Sequence, residues 1–573
     1  MFIVHCLPEP AKSNKVLRAW SLYWNTGRLL TLADTSRSLH CLDGIRALSV
    51  LWIILFHTAG RVMDDCVNKS DIMYGPISRQ KYLWAFTGHI AVDSFFVLSG
   101  LLLVYTTSHK TKQLSLKHLP LFYCNRYMRL FPLLATAVLL QMVLPRLVDG
   151  PVDAHLVRYV SKLYIYLRER PSLRFISLSS HYQSYRRASD NIVEWCRSYW
   201  WSALLHVQNI VNPTDMCLGH TWYLSVDMQL FMVSPLLLRW VLRRCFAWRA
   251  LVTAVLVSQA LKFAICLYFN YPDVWGQLGD TLPGAFYLWY YINPLARSPP
   301  FLIGMLLGYT LHVHRNEKIQ LSKVTMTYVV SYSDALGMIP EVVIYNIQRH
   351  APNAIAFKLV DKSENTTAIR PPVATFISIV NLSLNFFCIA IKCIYLLTED
   401  LYVNRISFFQ WSVFLCYSLA LVLSLSVVFV EHPSMQAFWA NRIALNIRHA
   451  VYRSGWALAV CWLIFACVND YGGPINWFLS LKLWRFVARI SYAMYLFSYI
   501  LQTNISGVGA GAEYYFDTQS LLTRYAADLA YTTALSVGAC IVVEGPLLTL
   551  YNLLLTRIRN THEQYDINNK HEE

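Results

Sequence analysis

The chain has 573 residues, of which 56% are hydrophobic and only 14% charged, with a net charge of +16. A soluble globular chain is closer to a quarter charged, so this composition excludes that class and predicts a membrane protein. Lys and Arg lie mainly in short connections between apolar runs, as the positive-inside rule describes, which argues against a nucleic-acid partner.

The N-terminal residues 1–41 contain several basic side chains and no apolar signal-peptide core, which predicts a cytosolic segment. Apolar runs long enough to cross a bilayer as helices follow through the first half of the chain. The spans predicted there are residues 46–64, 84–106, 131–149, 222–241, 250–269 and 297–313. The basic residues after the second and fourth spans fit an alternating topology that starts in the cytosol.

The second half of the chain is less regular. The spans predicted there are residues 374–397, 409–430, 451–468, 487–504 and 527–551, with a weaker one at 324–345. Together the two halves predict an all-α polytopic bundle of about 10–12 transmembrane helices. This transmembrane domain covers residues 42–556, with atypical insertions at about 158–190 and 318–372, and a charged tail follows at 557–573.

Several stretches of the chain resemble membrane acyltransferases of the acyltransferase-3 family, and they occur in the same order. They are LDGIRALSVLWIILFHT, AVDSFFVLSGLLLVY, YCNRYMRLFPLL, HTWYLSVDMQLFMVSPLLL, PFLIGMLLGY and ISYAMYLFSYIL. Two further stretches, WSLYWNTGRLL and FACVNDYGGPINWFLSLK, resemble the animal branch of that family, the nose-resistant-to-fluoxetine proteins. The resemblance covers about residues 20–313 and 405–555, and it departs from the family at Ser498, where a histidine is common.

The resemblance implies an integral membrane O-acyltransferase that moves an acyl group from a thioester donor to a hydroxyl acceptor. It implies acyl-CoA as the co-substrate, no bound cofactor, and membrane lipids as partners. The alternative is a non-catalytic membrane protein that binds or transports lipids or small hydrophobic compounds, and Ser498 favours it somewhat. We expect a location in the endoplasmic reticulum or another endomembrane, with the plasma membrane as the alternative.

His57 lies inside the first predicted span, on the same helical stripe as Arg46. Ionisable side chains within a span are costly and normally face the bundle interior, a partner or water. His57 is therefore either a hydrogen-bonded packing residue or, as the resemblance favours, the general base that deprotonates the acceptor. Asp93 on the next span either packs helices or orients His57, and His89 on the same face is a weaker candidate.

The remaining candidates are charged residues near the ends of spans. Arg126 and Arg129 either anchor lipid headgroups or bind the phosphates of the acyl-CoA donor. Asp43 and Arg46 form either a structural salt bridge or a substrate contact at the start of the first span. Asp227 lies where the family has an acidic residue, and its role there is either structural or in substrate binding.

The chain has 14 cysteines without the CxxC pairs of a zinc site, so we expect no metal centre. Cys196 and Cys217 fall in the predicted outer connection between the third and fourth spans, in an oxidising compartment. The family resemblance also places cysteines on either side of this segment. We therefore expect a disulfide between Cys196 and Cys217, with two free thiols as the alternative.

Overall fold

The computed structural model of the chain describes residues 15–31, 39–64, 66, 68–74, 76–110, 119–148, 191–242, 247–271, 284–314, 417–418, 420–422, 424, 442–504 and 515–572. Within these residues the secondary structure is helical, with short 3-10 and π segments and no β-strand. The all-α architecture predicted from the apolar runs is confirmed.

Ten helices of 20 or more residues organise the described part of the chain. They are α1 (Cys41–Asp64), α2 (Ala91–Lys110), α3 (Leu119–Val148), α4 (Trp222–Leu242), α5 (Ala247–Phe269), α6 (Pro294–Val313), α7 (Arg442–Val468), α8 (Lys482–Asn504), α9 (Thr518–Ala539) and α10 (Gly545–Glu572). Each span predicted in the first half overlaps one of these helices. In the second half, α7 covers the span predicted at 451–468 and α8 covers the one at 487–504.

Within the described residues, six helical stretches are long and apolar enough to cross a membrane. They are Cys41–Met63, Lys81–Thr107, Leu119–Pro145, Trp248–Phe269, Leu445–Val468 and Thr518–Ile558. The chain is therefore an integral, multi-pass membrane protein. The other predicted features lie wholly or almost wholly outside the described residues, namely the spans at 324–345, 374–397 and 409–430 and the insertions at 158–190 and 318–372.

Helices α2 and α6 approach each other backbone to backbone at the centre of the bundle. A Cβ atom added to Gly100 would come within 3.0 Å of the carbonyl oxygen of Phe301, and one added to Gly304 would come equally close to that of Val97. Small residues permit such close crossings in membranes, where apolar burial alone does not drive helices together. The close approach fixes the position of α2 relative to α6. Each of these helices carries a buried charged residue, Asp93 on α2 and Arg297 on α6.

The N-terminal segment contains a short helix, Leu22–Leu30, that docks on the bundle. The buried side chain of Asn25 donates a hydrogen bond to the carbonyl oxygen of Ile541, 3.2 Å away, in the π turn between α9 and α10. From α8, Arg489 donates to the carbonyl oxygens of Arg28 and Leu29 at 3.1 and 2.8 Å. These bonds satisfy the free carbonyls at the end of the short helix and hold this part of residues 1–41 against the transmembrane domain.

Candidate functional site

His57 projects from α1 towards α8. Its ring meets the ring of Tyr499 edge-on, with the two centroids 5.3 Å apart. The Nδ1 atom of His57 is buried and has no hydrogen-bond partner. Nδ1 therefore makes no hydrogen bond between helices, and it is available to accept or donate a proton.

A second histidine, which the sequence analysis did not single out, contacts the same tyrosine. His220 lies in the 3-10 turn Gly219–Thr221 immediately before α4, and its ring centroid is 4.8 Å from that of Tyr499. Neither of its ring nitrogens makes a hydrogen bond of normal length and direction, although the backbone carbonyl of Leu496 lies close enough to act on the ring. Burial, together with the neighbouring charge of His57, lowers the pKa of His220 to about 3. The ring is therefore neutral at physiological pH, with one N–H donor and one acceptor nitrogen.

Ser498 lies on the α8 face that contacts His220. Tyr495 and Tyr499 both pack on the ring of His220, and Ser498, three residues after Tyr495, faces the same side of the helix. The hydroxyl of Ser498 is fully buried and donates to the carbonyl oxygen of Tyr495 within its own helix, at 3.4 Å. The imidazole that the family often carries at position 498 is absent, while His220 brings a second imidazole to this face from the start of α4.

A disulfide between Cys196 and Cys217 closes the segment that leads to His220. Cys196 belongs to the helix at 191–204, and Cys217 lies three residues before His220. The side chain of Gln208 reinforces this link, because it donates to the hydroxyl of Thr221 at 2.6 Å. Together these links restrict the position of the turn that carries His220.

Polar side chains from three helices meet at the residue after His57. Thr58 donates to a carboxylate oxygen of Asp528 on α9 at 2.8 Å, and it accepts from the amide of Gln502 on α8 at 2.9 Å. Arg524 lies 3.6 Å from the other carboxylate oxygen of Asp528. This network ties α1, α8 and α9 together one residue away from the imidazole, and it helps to fix the rotation of α1.

Asp93 does not contact His57, which differs from the predicted orienting role. Its carboxylate is fully buried and lies between two arginines, with Arg297 Nη1 at 3.3 Å from one oxygen and Arg453 Nη1 at 2.7 Å from the other. The guanidinium of Arg297 also donates from Nε to the carbonyl oxygen of Tyr291 at 2.7 Å. Asp93 therefore joins α2 to α6 and α7 through ion pairs, and its lone pairs are directed at these cations instead of an imidazole.

His89, the weaker candidate, is buried in the 3-10 turn before α2. Its Nδ1 lies 3.4 Å from the carbonyl oxygen of Phe86, and its ring packs on Phe56 at a centroid distance of 5.8 Å. His89 thus neighbours the α1 helix beside His57.

The predicted donor-binding residues separate into two groups. Arg126 forms an ion pair with Asp227, donates to the hydroxyl of Ser99 at 3.0 Å and stacks on the ring of Phe231. The guanidinium of Arg126 therefore makes its main contacts with other groups of the protein. Arg129, one turn further along α3, is exposed and forms no ion pair with a described residue.

Arg46 and Asp43 lie at the start of α1 and form an ion pair of 3.9 Å between successive turns of the helix. Both side chains are partly exposed. Arg129 lies close enough to Arg46 for their charges to interact. Two arginines thus lie near each other at this end of the bundle, where Asp43 pairs with Arg46 and the carboxyl of Glu544 lies within charge range of Arg129.

Comparison with known proteins identifies the family. Residues 39–357, more than half of the chain, match the model of the acyltransferase-3 family, described as an acyltransferase domain. No solved structure matches the chain.

Two relatives come from Caenorhabditis elegans. Nose resistant to fluoxetine protein 6 is 21% identical over 93% of this chain and 54% of its own length. Regulator of hypoxia-inducible factor 1 is 26% identical over 54% of this chain and 59% of its own length. The chain thus spans little more than half the length of these relatives. It belongs to the acyltransferase-3 family of integral membrane proteins, in the branch of the nose-resistant-to-fluoxetine proteins.

Proposed function

We propose that the protein is an O-acyltransferase that moves an acyl group from acyl-CoA to a hydroxyl acceptor within the membrane. The observation that carries this proposal is that His57 and His220 contact the same ring, that of Tyr499, while Nδ1 of His57 and both ring nitrogens of His220 make no hydrogen bond of normal geometry. Membership of the acyltransferase-3 family supports acyl transfer as the type of reaction.

In the proposed reaction His57 acts as the general base. It removes the proton from the acceptor hydroxyl, and the resulting oxygen nucleophile attacks the carbonyl carbon of the thioester. A new C–O bond forms, the C–S bond breaks, and the CoA thiolate receives the proton from the imidazolium of His57. A general base requires the neutral imidazole, in which one ring nitrogen carries a free lone pair.

His220 is proposed to assist at the developing negative charge. Its ring is neutral and makes no hydrogen bond of normal geometry within the protein, so its N–H can turn from the nearby carbonyl of Leu496 to the oxyanion that forms during attack. Donors that are already in place and shielded from water stabilise such charge more strongly than water-exposed groups do. The disulfide-linked segment supports this role by restricting the turn that carries His220.

Arg129 and Arg46 are proposed to bind the phosphates of acyl-CoA. Arg129 is exposed, and its charge is near that of Arg46, so their guanidinium groups can bind an anion together. Arg126 is assigned a supporting role instead, because Asp227 neutralises it. Asp43 limits the repulsion between Arg46 and Arg129 by pairing with Arg46.

The second candidate function is a protein that binds or transports lipids or other hydrophobic compounds without reaction. Ser498 favours it, since the family often has a histidine at this place and the hydroxyl is used within its own helix. We further propose that the protein resides in the endoplasmic reticulum or another endomembrane, with the plasma membrane as the alternative. Microscopy of a tagged chain with compartment markers tests the location.

The test of the function is acyl transfer by purified protein in nanodiscs made with lipids from the expressing cells. A mixture of acetyl-, octanoyl- and palmitoyl-CoA serves as the donor pool, and mass spectrometry follows free CoA and new acyl esters. We expect ester formation by the wild type and its loss in His57→Gln. His314→Gln is the matched control, because His314 is exposed at the end of α6. Lipid transport that persists in His57→Gln, with no ester formed by the wild type, would favour the carrier.

A further inference from the structure

Four ionisable side chains lie together inside the bundle, away from the His57 site. They are Asp93 on α2, Lys262 on α5, Arg297 on α6 and Arg453 on α7, and none is more than 1% exposed. One carboxylate thus faces three basic groups. If all are ionised, the cluster carries two positive charges that no described acidic side chain balances.

The hydrogen bonds of Asp93 are directed at the two arginines. One carboxylate oxygen accepts a hydrogen bond from Nη1 of Arg297 and the other from Nη1 of Arg453. Neither oxygen accepts a hydrogen bond from Lys262. The Nζ atom of Lys262 is buried without a hydrogen-bond partner, and so are Nε and Nη2 of Arg453. When the lysine is protonated, the three N–H bonds on Nζ lack an acceptor. The one on Nε and the two on Nη2 of Arg453 have no acceptor in good geometry, although the hydroxyl of Tyr290 lies close to this guanidinium.

The unpaired donors face one region of the interior. Arg453 and Asp93 both lie close enough to Lys262 to act on its charge. Lys262 Nζ is 5.7 Å from the ring centroid of Tyr290, and Arg453 Cζ is 5.6 Å from the same centroid. The hydroxyl of Tyr290 donates to the carbonyl oxygen of His449 at 2.6 Å, so its proton is already used. The tyrosine ring thus forms a wall that both cations share.

The helices that carry the two cations are held in place by other bonds. Gln259 on α5 donates to the carbonyl oxygen of Ala450 on α7 at 2.7 Å, and Ser454 donates back to Gln259 at 2.6 Å. Lys262 is three residues after Gln259, and Arg453 is adjacent to Ser454. The donors are therefore preorganised, and little side-chain entropy remains to be lost when an anion binds.

Burial of charge without a counterion is costly in a low-dielectric interior, and removing the hydrogen bonds of a buried cation adds to that cost. A bound anion would offset both. We propose that Lys262 and Arg453 bind a small monovalent inorganic anion, chloride, in an enclosed site between α5 and α7. The near-zero exposure of the cations and the aromatic wall favour a small ion over a carboxylate that carries an acyl chain.

The proposal does not depend on acyl transfer, and its test is the stability of the purified full chain in detergent. Thermal unfolding is followed in sodium chloride and in sodium gluconate at equal ionic strength, since gluconate is too large for an enclosed site. We expect Tm to rise by a few degrees with chloride and to saturate, and bromide to act in the same way. The linewidth of the chloride NMR signal should broaden with the protein and narrow again when bromide competes.

Lys262→Met removes one cation of the site and is expected to abolish the difference between chloride and gluconate. The variant should still fold, because the lost charge has no described partner. Lys262→Arg retains a cation and should keep part of the halide effect. Lys482→Met is the matched control, because Lys482 is exposed at the start of α8, and it should respond to chloride as the wild type does.

Three results would overturn the proposal. Equal Tm values of the wild type in chloride and gluconate, together with a chloride linewidth that the protein does not broaden, would mean that no chloride binds at Lys262. A halide effect that is undiminished in Lys262→Met would place the anion elsewhere in the protein. Stabilisation by acetate but not by chloride would exclude a halide site. The first comparison requires no variant, so it decides the matter even if Lys262→Met does not fold.

Discussion

His57 and His220 contact the same aromatic ring, that of Tyr499, at centroid distances of 5.3 and 4.8 Å. The two histidines come from different parts of the chain, one from the middle of α1 and the other from the turn before α4. Neither His57 Nδ1 nor either ring nitrogen of His220 makes a hydrogen bond of normal geometry. Buried polar groups are normally paired, so these nitrogens support the proposed role of the two histidines in acyl transfer.

Replacing His57 with glutamine tests the proposed base. Glutamine keeps polarity and roughly the size of the side chain, but it cannot accept a proton near neutral pH. We expect His57→Gln to fold normally and to lose acyl transfer by about a hundredfold or more, measured as CoA release under saturating donor. His314→Gln should keep full activity. Full activity in folded His57→Gln would assign the ring a structural role and end the proposed mechanism.

The pH dependence of stability tests the state of His220. Burial lowers its pKa from 6.5 to about 3 in the folded protein, so between these values the unfolded chain binds a proton that the folded chain does not. Stability therefore rises with pH across this window and is lost as the pH falls below about 6.5. From pH 7.5 to pH 5 this one group is expected to reduce the free energy of unfolding by about 2 kcal/mol.

The measurement compares the wild type with His220→Gln, which has no titrating group at this position. We expect the variant to lose less stability between pH 7.5 and pH 5, by about 2 kcal/mol or the equivalent difference in Tm. The comparison removes the contributions of the other buried histidines, which both proteins share. Identical pH profiles would show that His220 titrates normally and is open to water in the folded protein.

Apolar runs were enough to locate the long helices among the described residues, because a span must be long, apolar and internally hydrogen-bonded. They did not locate the interruption in the span predicted at 84–106. There the helix Pro76–Phe86 passes through the 3-10 turn Thr87–Ile90 before α2 begins. The turn allows Gly88 to approach the backbone of Trp52 on α1, and a packing contact of this kind leaves no mark on hydropathy.

The charged contacts of the site were likewise only partly predictable from the sequence. Helical spacing and the cost of burying a charge singled out His57 and Asp93 from a local stretch of sequence. The partners of Asp93 lie 204 and 360 residues further along the chain, so no local pattern could identify Arg297 and Arg453. His220 was missed although a local signal was present, since it opens the stretch HTWYLSVD directly after a cysteine of the expected disulfide.

Arg129 and Arg126 are expected to differ in what their loss affects. Arg129→Gln should raise KM for acyl-CoA by about tenfold with little change in kcat, because a charge-assisted bond to a phosphate is lost. The effect should shrink as ionic strength rises, since Arg129 is exposed. Arg126→Gln should instead lower Tm, because it leaves the carboxylate of Asp227 buried without its cation. An unchanged KM in Arg129→Gln would remove this arginine from the donor site.

The disulfide between Cys196 and Cys217 should stabilise the segment that leads to His220. Closing a loop of this size restricts the unfolded chain, and its loss is expected to cost about 3 kcal/mol. The double variant Cys196→Ala, Cys217→Ala tests this by thermal unfolding, and non-reducing peptide mapping tests the bond itself. Cys124→Ala, at a free and partly buried cysteine, is the control. Alkylation of both cysteines without reduction would rule out the bond in the purified protein.

Asp93→Asn is expected to lower the stability of the folded protein, and to affect acyl transfer mainly through that loss. The amide keeps the shape of the side chain but removes the charge between Arg297 and Arg453, which leaves two buried guanidinium groups near Lys262 without their carboxylate partner. Breaking a buried ion pair in this way costs about 3–5 kcal/mol, so Tm and the yield of monodisperse protein should fall. Asp71→Asn, at an exposed aspartate, should leave both unchanged.

The double variant Asp93→Asn, Arg453→Gln separates the structural role from a catalytic one. It removes one cation together with the carboxylate, so it should recover part of the stability that Asp93→Asn loses. If Asp93 acts only through these pairs, acyl transfer per folded molecule should recover with the stability. An Asp93→Asn protein that unfolds at the wild-type Tm and is as inactive as His57→Gln would instead place the carboxylate in the reaction.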